Sequence, residues 1–143
     1  MPMGEDLNAP GAIEVLKSFY AALNHNDLDA CCEHFDPQIE RVEPAGHKTS
    51  GVHRGREKVR AHIAEGRGTW AEGGCEPERF LVNGDKVIAY VHVRVRLKGA
   101  TDWLDGRCAD VFTFRNGMIV HWRTFWERKE ALEWVGIDDP DAS

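Results

Sequence analysis

Two hydrophobic periods divide the chain: apolar residues recur at helical spacing over roughly the first half, and from Glu78 onward they alternate with polar ones. In the first half Ala12, Val15, Leu16, Phe19, Ala22 and Leu23 predict a helix from Ala9 to Asn24, with Asn8 as its N-cap. Leu28, Cys31, Cys32 and Phe35 repeat the spacing behind a capping Asp27, so a short second helix is expected, ended by Asp36-Pro37. Ile39 to Glu43 reads as a short strand stopped by Pro44, and Pro44 to Arg54 as a loop. Arg56 to Glu65 then reads as a third helix ending at Gly66.

After a second connection, Trp70 to Pro77, the period becomes two. Val87, Ala89, Val91, Val93, Val95 and Leu97 fall on one face of a long strand, with Tyr90, His92, Arg94 and Arg96 on the other. Asn83-Gly84 and Arg115-Asn116-Gly117 carry the residues that tolerate the positive backbone angles of tight hairpins. From Met118 to Trp126, Met118, Val120, Trp122, Thr124 and Trp126 face one way, and Ile119, His121, Arg123 and Phe125 the other. Glu127 to Val135 returns to helix, stopped by Gly136. Helices followed by a run of antiparallel strands predict an α+β fold, a curved sheet over helices with a cavity between the layers. One domain over residues 9–137 is expected, preceded by a flexible segment at 1–8 and followed by an acidic tail at 138–143.

A formal charge of -6 argues against nucleic acid, whose binding depends on phosphate neutralisation; the basic run Arg54 to Arg60 is interrupted by Glu57 and reads as a solvated helix start. No apolar run approaches the roughly 20 residues of a membrane helix, and Met1 to Pro10 lacks a secretory pattern, so no membrane partner and a cytoplasmic location are expected. Cys31, Cys32, Cys75 and Cys108 match neither a zinc spacing nor a disulfide framework, and reduced thiols are expected. His34, His47 and His53 surround the first strand without a metal-ligand spacing, so no metal is assigned.

The most informative residue is Asp110. In Cys108-Ala109-Asp110-Val111-Phe112-Thr113-Phe114 it shares a strand face with Cys108, Phe112 and Phe114, and a carboxylate on an apolar face is paired, protonated or useful. A structural reading bonds it to Trp122, Trp126, Thr124 or a loop amide; a functional one places it in a pocket. Glu43 has the same two readings, because Arg41, two residues back on the same strand face, is positioned to pair with it.

Phe19-Tyr20-Ala21-Ala22-Leu23-Asn24 with Asp27-Leu28-Asp29, Val42-Glu43-Pro44, the segment Gly51 to Arg60, and Ala109 to Gly117 with Ile119-Val120 and Trp122-Arg123 together resemble the nuclear transport factor 2-like superfamily. The resemblance is to its SnoaL-like and ketosteroid-isomerase-like branch and covers roughly Ala9 to Gly136. It implies a cone-shaped α+β barrel of mostly antiparallel strands wrapped over N-terminal helices, with a deep apolar pocket and commonly a homodimer. The fold hosts isomerases, polyketide cyclases, epoxide hydrolases, dehydratases and binding modules, so activity has to come from the pocket.

In ketosteroid isomerases an acid before a proline on the first strand takes a proton, and Glu43 matches it; a protonated acid on a later strand stabilises the enolate, and Asp110 matches that. The tyrosine that completes the set is matched by Phe19, which has no hydroxyl, and Tyr20 points about 100° away around the helix. Limonene-epoxide-hydrolase-like members place an arginine between two aspartates, where this chain has Cys108 and Thr124, which disfavours that chemistry. The expected function is therefore cofactor-free proton abstraction next to a carbonyl of a small hydrophobic molecule, with Glu43 as base and Asp110 as acid or hydrogen-bond donor. Phe19, Val91, Val93, Val95, Phe112, Trp122 and Trp126 are expected to line the cavity, and Trp126 to contact the ligand. The outer sheet face, with Tyr90, His92, Arg94, Arg96, His121, Arg123 and Phe125, suits a homodimer interface. The competing reading is a non-catalytic ligand-binding or dimerisation module.

Overall fold

The computed structural model describes residues 7–44 and 51–138. Most of the expected N-terminal lead-in and acidic tail, and His47 with them, lie outside the described residues.

The first helix, α1, spans Ala9–Asn24, with the Asn8 side chain accepting from Gly11 N at its start. α2 is one turn, Leu28–Cys31, capped by Asp27. The helical spacing that runs on to Phe35 in the sequence is not followed, because Phe35 opens the strand β1, Phe35–Glu43. Pro37 therefore sits inside a strand, at the register shift between Phe35 and Glu40 where β1 leaves its ladder with a neighbour, so its missing N–H costs nothing. The strand β2, Gly51–Arg54, pairs antiparallel with β1, and α3 runs Arg56–Arg67, past Gly66, before ending at Gly68.

Trp70 to Pro77 is not a connection. It forms the first half of β3, Trp70–Asn83, an edge strand paired along its length with β4, Lys86–Leu97. β5, Leu104–Arg115, and β6, Met118–Phe125, complete a sheet of order β2-β1-β6-β5-β4-β3, with β1 parallel to β6 and all other ladders antiparallel. The hairpin residues take the expected positive angles, φ 62° at Gly84, 52° at Asn116 and 78° at Gly117. Near the start of β3 the register shifts, and Gly73 takes φ +101°; a Cβ there would lie 2.1 Å from the Arg94 carbonyl oxygen.

The sheet curls around α1. Its concave face and the helices enclose the main core, in which Leu16, Phe19, Tyr20, Phe35, Ile39, Phe112 and Ile119 are nearly inaccessible. α1 is fastened to the edge strand at its far end: Asn24 Nδ2 donates to Cys75 O at 2.9 Å and its Oδ1 accepts from Cys75 N at 2.8 Å, so an amide side chain serves as strand partner there.

The convex face carries a second, smaller core. The last helix, α4, Arg128–Val135, ends at Gly136 in the left-handed conformation and packs Ala131 and Leu132 on Ile88, Tyr90, Ala109 and Val111. His121, Arg123 and Phe125 meet Trp134 of this helix, and Arg128 lies 4.1 Å over the Tyr90 ring. Half of the outer face read as a dimer surface is thus covered by the chain's own helix. The other half, with His92, Arg94 and Arg96, stays accessible and forms ion pairs to Asp105 and Glu72. No described helix is long and apolar enough to cross a membrane.

Candidate functional site

A chain of polar side chains runs through the interior of the cone. Asp110 projects from β5 between its ladder partners Ala89 and Thr124 and is 5 % exposed. Tyr20 descends on it from α1, with its hydroxyl 2.5 Å from Oδ2, and Thr124 Oγ1 stands 2.5 Å from Oδ1. Arg41, from β1, donates through Nη1 to Thr124 Oγ1 at 2.8 Å and to Val42 O at 2.9 Å. A guanidinium has no acceptor, so Thr124 accepts from Arg41 and its own proton goes to Asp110; the carboxylate oxygen Oδ1 is an acceptor.

Arg41 continues the chain towards the second carboxyl. Its Nη2 lies 3.5 Å from Glu43 Oε2, and Glu43 Oε1 lies 3.2 Å from Nε2 of His62 on α3. His62 stacks on His53 of β2, ring centroids 4.1 Å apart and planes 25° from parallel. Arg41 also lies flat against an aromatic floor, its Cζ 3.7 Å from the Trp122 ring centroid, because Arg41 and Trp122 are register partners on β1 and β6.

Burial sets the electrostatics. It pushes the Tyr20 hydroxyl well above the usual tyrosine range, and the neighbouring Asp110 charge pushes the same way, so this hydroxyl keeps its proton. The Arg41 guanidinium is pulled down by burial while Asp110 and Glu43 act in the opposite direction. Cys75 and Cys108 beside Asp110 are both raised, Cys75 to about 12, chiefly by burial and then by the Asp110 charge; neither is an activated nucleophile. Arg41 Nε, Trp122 Nε1 and His62 Nδ1, all along this polar chain, are buried without a hydrogen-bond partner among the described residues. Buried nitrogens are nearly always paired, so three along one chain mark it out.

The structure brings Arg41, Glu43 and Asp110 into one network, with Arg41 standing between the two carboxyls. Phe19 lies in the same interior but contributes no polar atom: it packs edge-on against Tyr20, Phe112 and Trp122 at 5.0, 5.7 and 5.1 Å. Phe112 and Trp122 stack on each other at 5.7 Å, so these three rings meet one another within the core. Val91 and Val95 are buried and Val93 packs against the core from its edge. Trp126 is placed elsewhere than expected: β6 ends at Phe125, the alternation that would turn Trp126 inward ends with it, and the residue is 44 % exposed.

The sequence names Thr124 as a possible partner of Asp110, as observed, but its spacing sets Tyr20 aside and does not single out His62. Tyr20 and Phe19 are both 2 % exposed, because the curled sheet encloses α1 over a wider arc than one stripe. His62 was legible, as Val59, His62 and Ile63 fall at i, i+3, i+4 on the buried side of α3. Of the three histidines named with the first strand, His53 reaches the network through His62, and His34 borders a hollow of about 190 Å³ between α1 and α2. Among the described residues no group of three His, Cys, Asp or Glu side chains could hold a metal ion.

Both the sequence and the fold have known relatives. The chain is 28 % identical to the uncharacterized protein MT0039 of Mycobacterium tuberculosis (strain CDC 1551 / Oshkosh) over 123 residues, 85 % of this chain and 92 % of that one. Its fold superposes on Bal32a, from a soil-derived mobile gene cassette, with a TM-score of 0.75, 26 % identity, and coverage of 89 % of this chain and 97 % of the other. TerC, co-crystallized with polyporic acid, matches with a TM-score of 0.73 at 19 % identity, covering 87 % of this chain and 97 % of its own. The family model of the SnoaL-like domain matches residues 16–122, from α1 through the Asp110 strand to Trp122, and the chain belongs to that family.

Proposed function

We propose that the protein is a cofactor-free enzyme that moves a proton next to the carbonyl of a small hydrophobic substrate, with isomerisation, cyclisation or dehydration as the outcome. The observation that carries this reading is the buried Tyr20–Asp110 contact of 2.5 Å. The hydroxyl hydrogen is engaged with Asp110 at rest, and one proton added to the carboxyl gives the pair a second hydrogen to offer a developing oxyanion in a desolvated site. A tyrosine with a carboxylic acid forms the oxyanion site of ketosteroid isomerases; here the hydroxyl comes from Tyr20, one position beyond the matching Phe19. Glu43, at the other end of the network and beside Arg41 and His62, supplies the basic end.

The test is exchange of protons next to a carbonyl. Incubation with 2-tetralone and a panel of hydrophobic ketones in D2O, followed by proton NMR, is expected to show protein-dependent loss of the α-proton signal. Asp110→Asn should depress it by about a hundredfold or more and Glu43→Gln by about tenfold or more, with folding preserved. Unchanged rates in both variants would remove the mechanism.

A second reading, a ligand-binding or dimerisation module, draws on the same network, since each Asp110 oxygen already meets a protein hydroxyl and Glu43 already faces Arg41 and His62. Tight binding of a hydrophobic ligand that is insensitive to both substitutions would favour it. In either reading we propose a homodimer through the outer-face half that α4 leaves open, where Arg94 stacks on Trp103 at 4.0 Å and Leu104 is 53 % exposed.

A further inference from the structure

We infer that His62, and not the Glu43 carboxylate beside it, is the group that takes the substrate proton, with Glu43 as its positioning residue. The inference rests on the proton-transfer reading above and names the atom at its basic end.

Three observations converge on the imidazole. Glu43 is engaged on both oxygens, Oε2 facing Arg41 Nη2 at 3.5 Å and Oε1 facing His62 Nε2 at 3.2 Å. An ionised carboxylate only accepts, so the hydrogen of the second contact belongs to His62 Nε2, and the neutral ring then presents a lone pair at Nδ1. That Nδ1 is buried and has no hydrogen-bond partner among the described residues. The ring is held from two further sides: its backbone is in α3 between the buried Val59 and Ile63, and His53 stacks against its face. A base with one nitrogen fixed by a carboxylate, the other bare and the ring plane locked has the organisation of an activated general base.

The step balances without a co-reactant. The C–H bond next to the carbonyl breaks and its electron pair forms the new C=C bond. The carbonyl π pair moves onto oxygen, where the Tyr20–Asp110 pair donates with Asp110 protonated, and the proton passes to His62 Nδ1. The imidazolium so formed shares its Nε2–H with Glu43, whose negative charge stabilises it. Return of that proton to another carbon completes an isomerisation; its delivery to a departing β-hydroxyl completes a dehydration.

The experiment compares His62→Gln, Glu43→Gln and Asp110→Asn in the 2-tetralone exchange assay and adds 15N NMR of histidine-labelled wild type. Glutamine keeps an amide donor for Glu43 but has no basic nitrogen, so a merely structural role for His62 is rescued in His62→Gln and a proton-carrying role is not. Exchange is expected to fall about a hundredfold or more in His62→Gln and by a smaller factor, about tenfold, in Glu43→Gln. In the wild type, NMR is expected to show His62 protonated at Nε2 and bare at Nδ1, with the Nδ1 resonance moving when the enol-shaped 2-naphthol is added. Wild-type exchange in His62→Gln, or a His62 tautomer with the proton on Nδ1, overturns the inference; the NMR arm needs no variant to fold. Loss of exchange in Glu43→Gln and Asp110→Asn but not in His62→Gln returns the base to Glu43, whereas absence of exchange in the wild type sinks the proton-transfer reading itself.

Discussion

Tyr20 and Asp110 stand 2.5 Å apart, hydroxyl to carboxyl, joining a helix and a strand that lie 90 positions apart in the sequence. Neither is accessible, so the pair trades hydration for one short contact, and deleting one partner leaves a buried oxygen of the other without it. Tyr20→Phe is expected to lower the urea unfolding free energy by about 1–3 kcal/mol, the cost of a buried carboxyl oxygen that loses its donor. Asp110→Asn in the same background should restore part of it, because the amide no longer carries a charge to be solvated. Additive losses in that double-mutant cycle would show that the two side chains are adjacent without being coupled.

Arg41 carries a buried charge shared between two carboxyls and braced on an aromatic ring. Its guanidinium meets Thr124, Val42 and Glu43 and lies 3.7 Å from the Trp122 ring. Removing one partner of such a set exposes the others to an uncompensated interior, a loss of about 3–5 kcal/mol. Arg41→Ala should approach this figure in denaturant unfolding. Arg41→Lys should recover less than half of it, since an ammonium neither stacks nor donates in two fixed directions. Full recovery by lysine would reduce Arg41 to a point charge.

Alkaline pH tests the interior by linkage. The Cys75 thiol is raised from 9.0 to about 12 and the Tyr20 hydroxyl is raised as well, both mainly by burial. A raised folded-state pKa means that the unfolded chain releases its proton first. The associated stability is fully present below the unfolded pKa and is lost as pH rises towards the folded one. Stability should therefore decline from about pH 9, with Cys75 contributing up to roughly 1.4 kcal/mol per pH unit until its folded-state value is reached. Cys75→Ala is expected to make the decline shallower between pH 9 and pH 12; an unaltered slope would place the titrating groups elsewhere.

How far the sequence carried these features depended on how local their cause is. α1 begins and ends where its cap and periodicity place it, and the hairpins fall where Asn83-Gly84 and Asn116-Gly117 allow positive angles, because both are settled within a few residues. The first half of β3 is invisible because Trp-Ala-Glu-Gly-Gly-Cys-Glu-Pro neither alternates nor avoids glycine and proline. It is a strand only because β4 offers a ladder on one side and Asn24 caps the other. The two carboxyls were legible as charges on a buried face, and the Arg41–Glu43 pair as neighbours on one strand. Thr124 was legible as a partner of Asp110, but the links made by Tyr20 and His62 were not, because they depend on which sides of α1 and α3 the curled sheet encloses.

The outer face decides how two copies could meet. α4 seals Ile88, Tyr90, Ala109 and Val111 beneath Ala131 and Leu132, so a partner subunit is left with the end of the sheet where β4 turns into β5. There Trp103 covers the Arg94 guanidinium and Leu104 stands open beside it. A tryptophan, an arginine and an aliphatic side chain form the kind of centre that dominates binding energy, and a stable interface around them would bury about 800 Å² on each copy. Sedimentation velocity is expected to show a dimer that Trp103→Ala with Leu104→Asp converts to monomer. The urea midpoint measured at low protein concentration should stay unchanged, because both residues are at least 36 % exposed within one chain. A wild type that sediments as a monomer, or a dimer indifferent to both substitutions, would move the interface away from this end of the sheet.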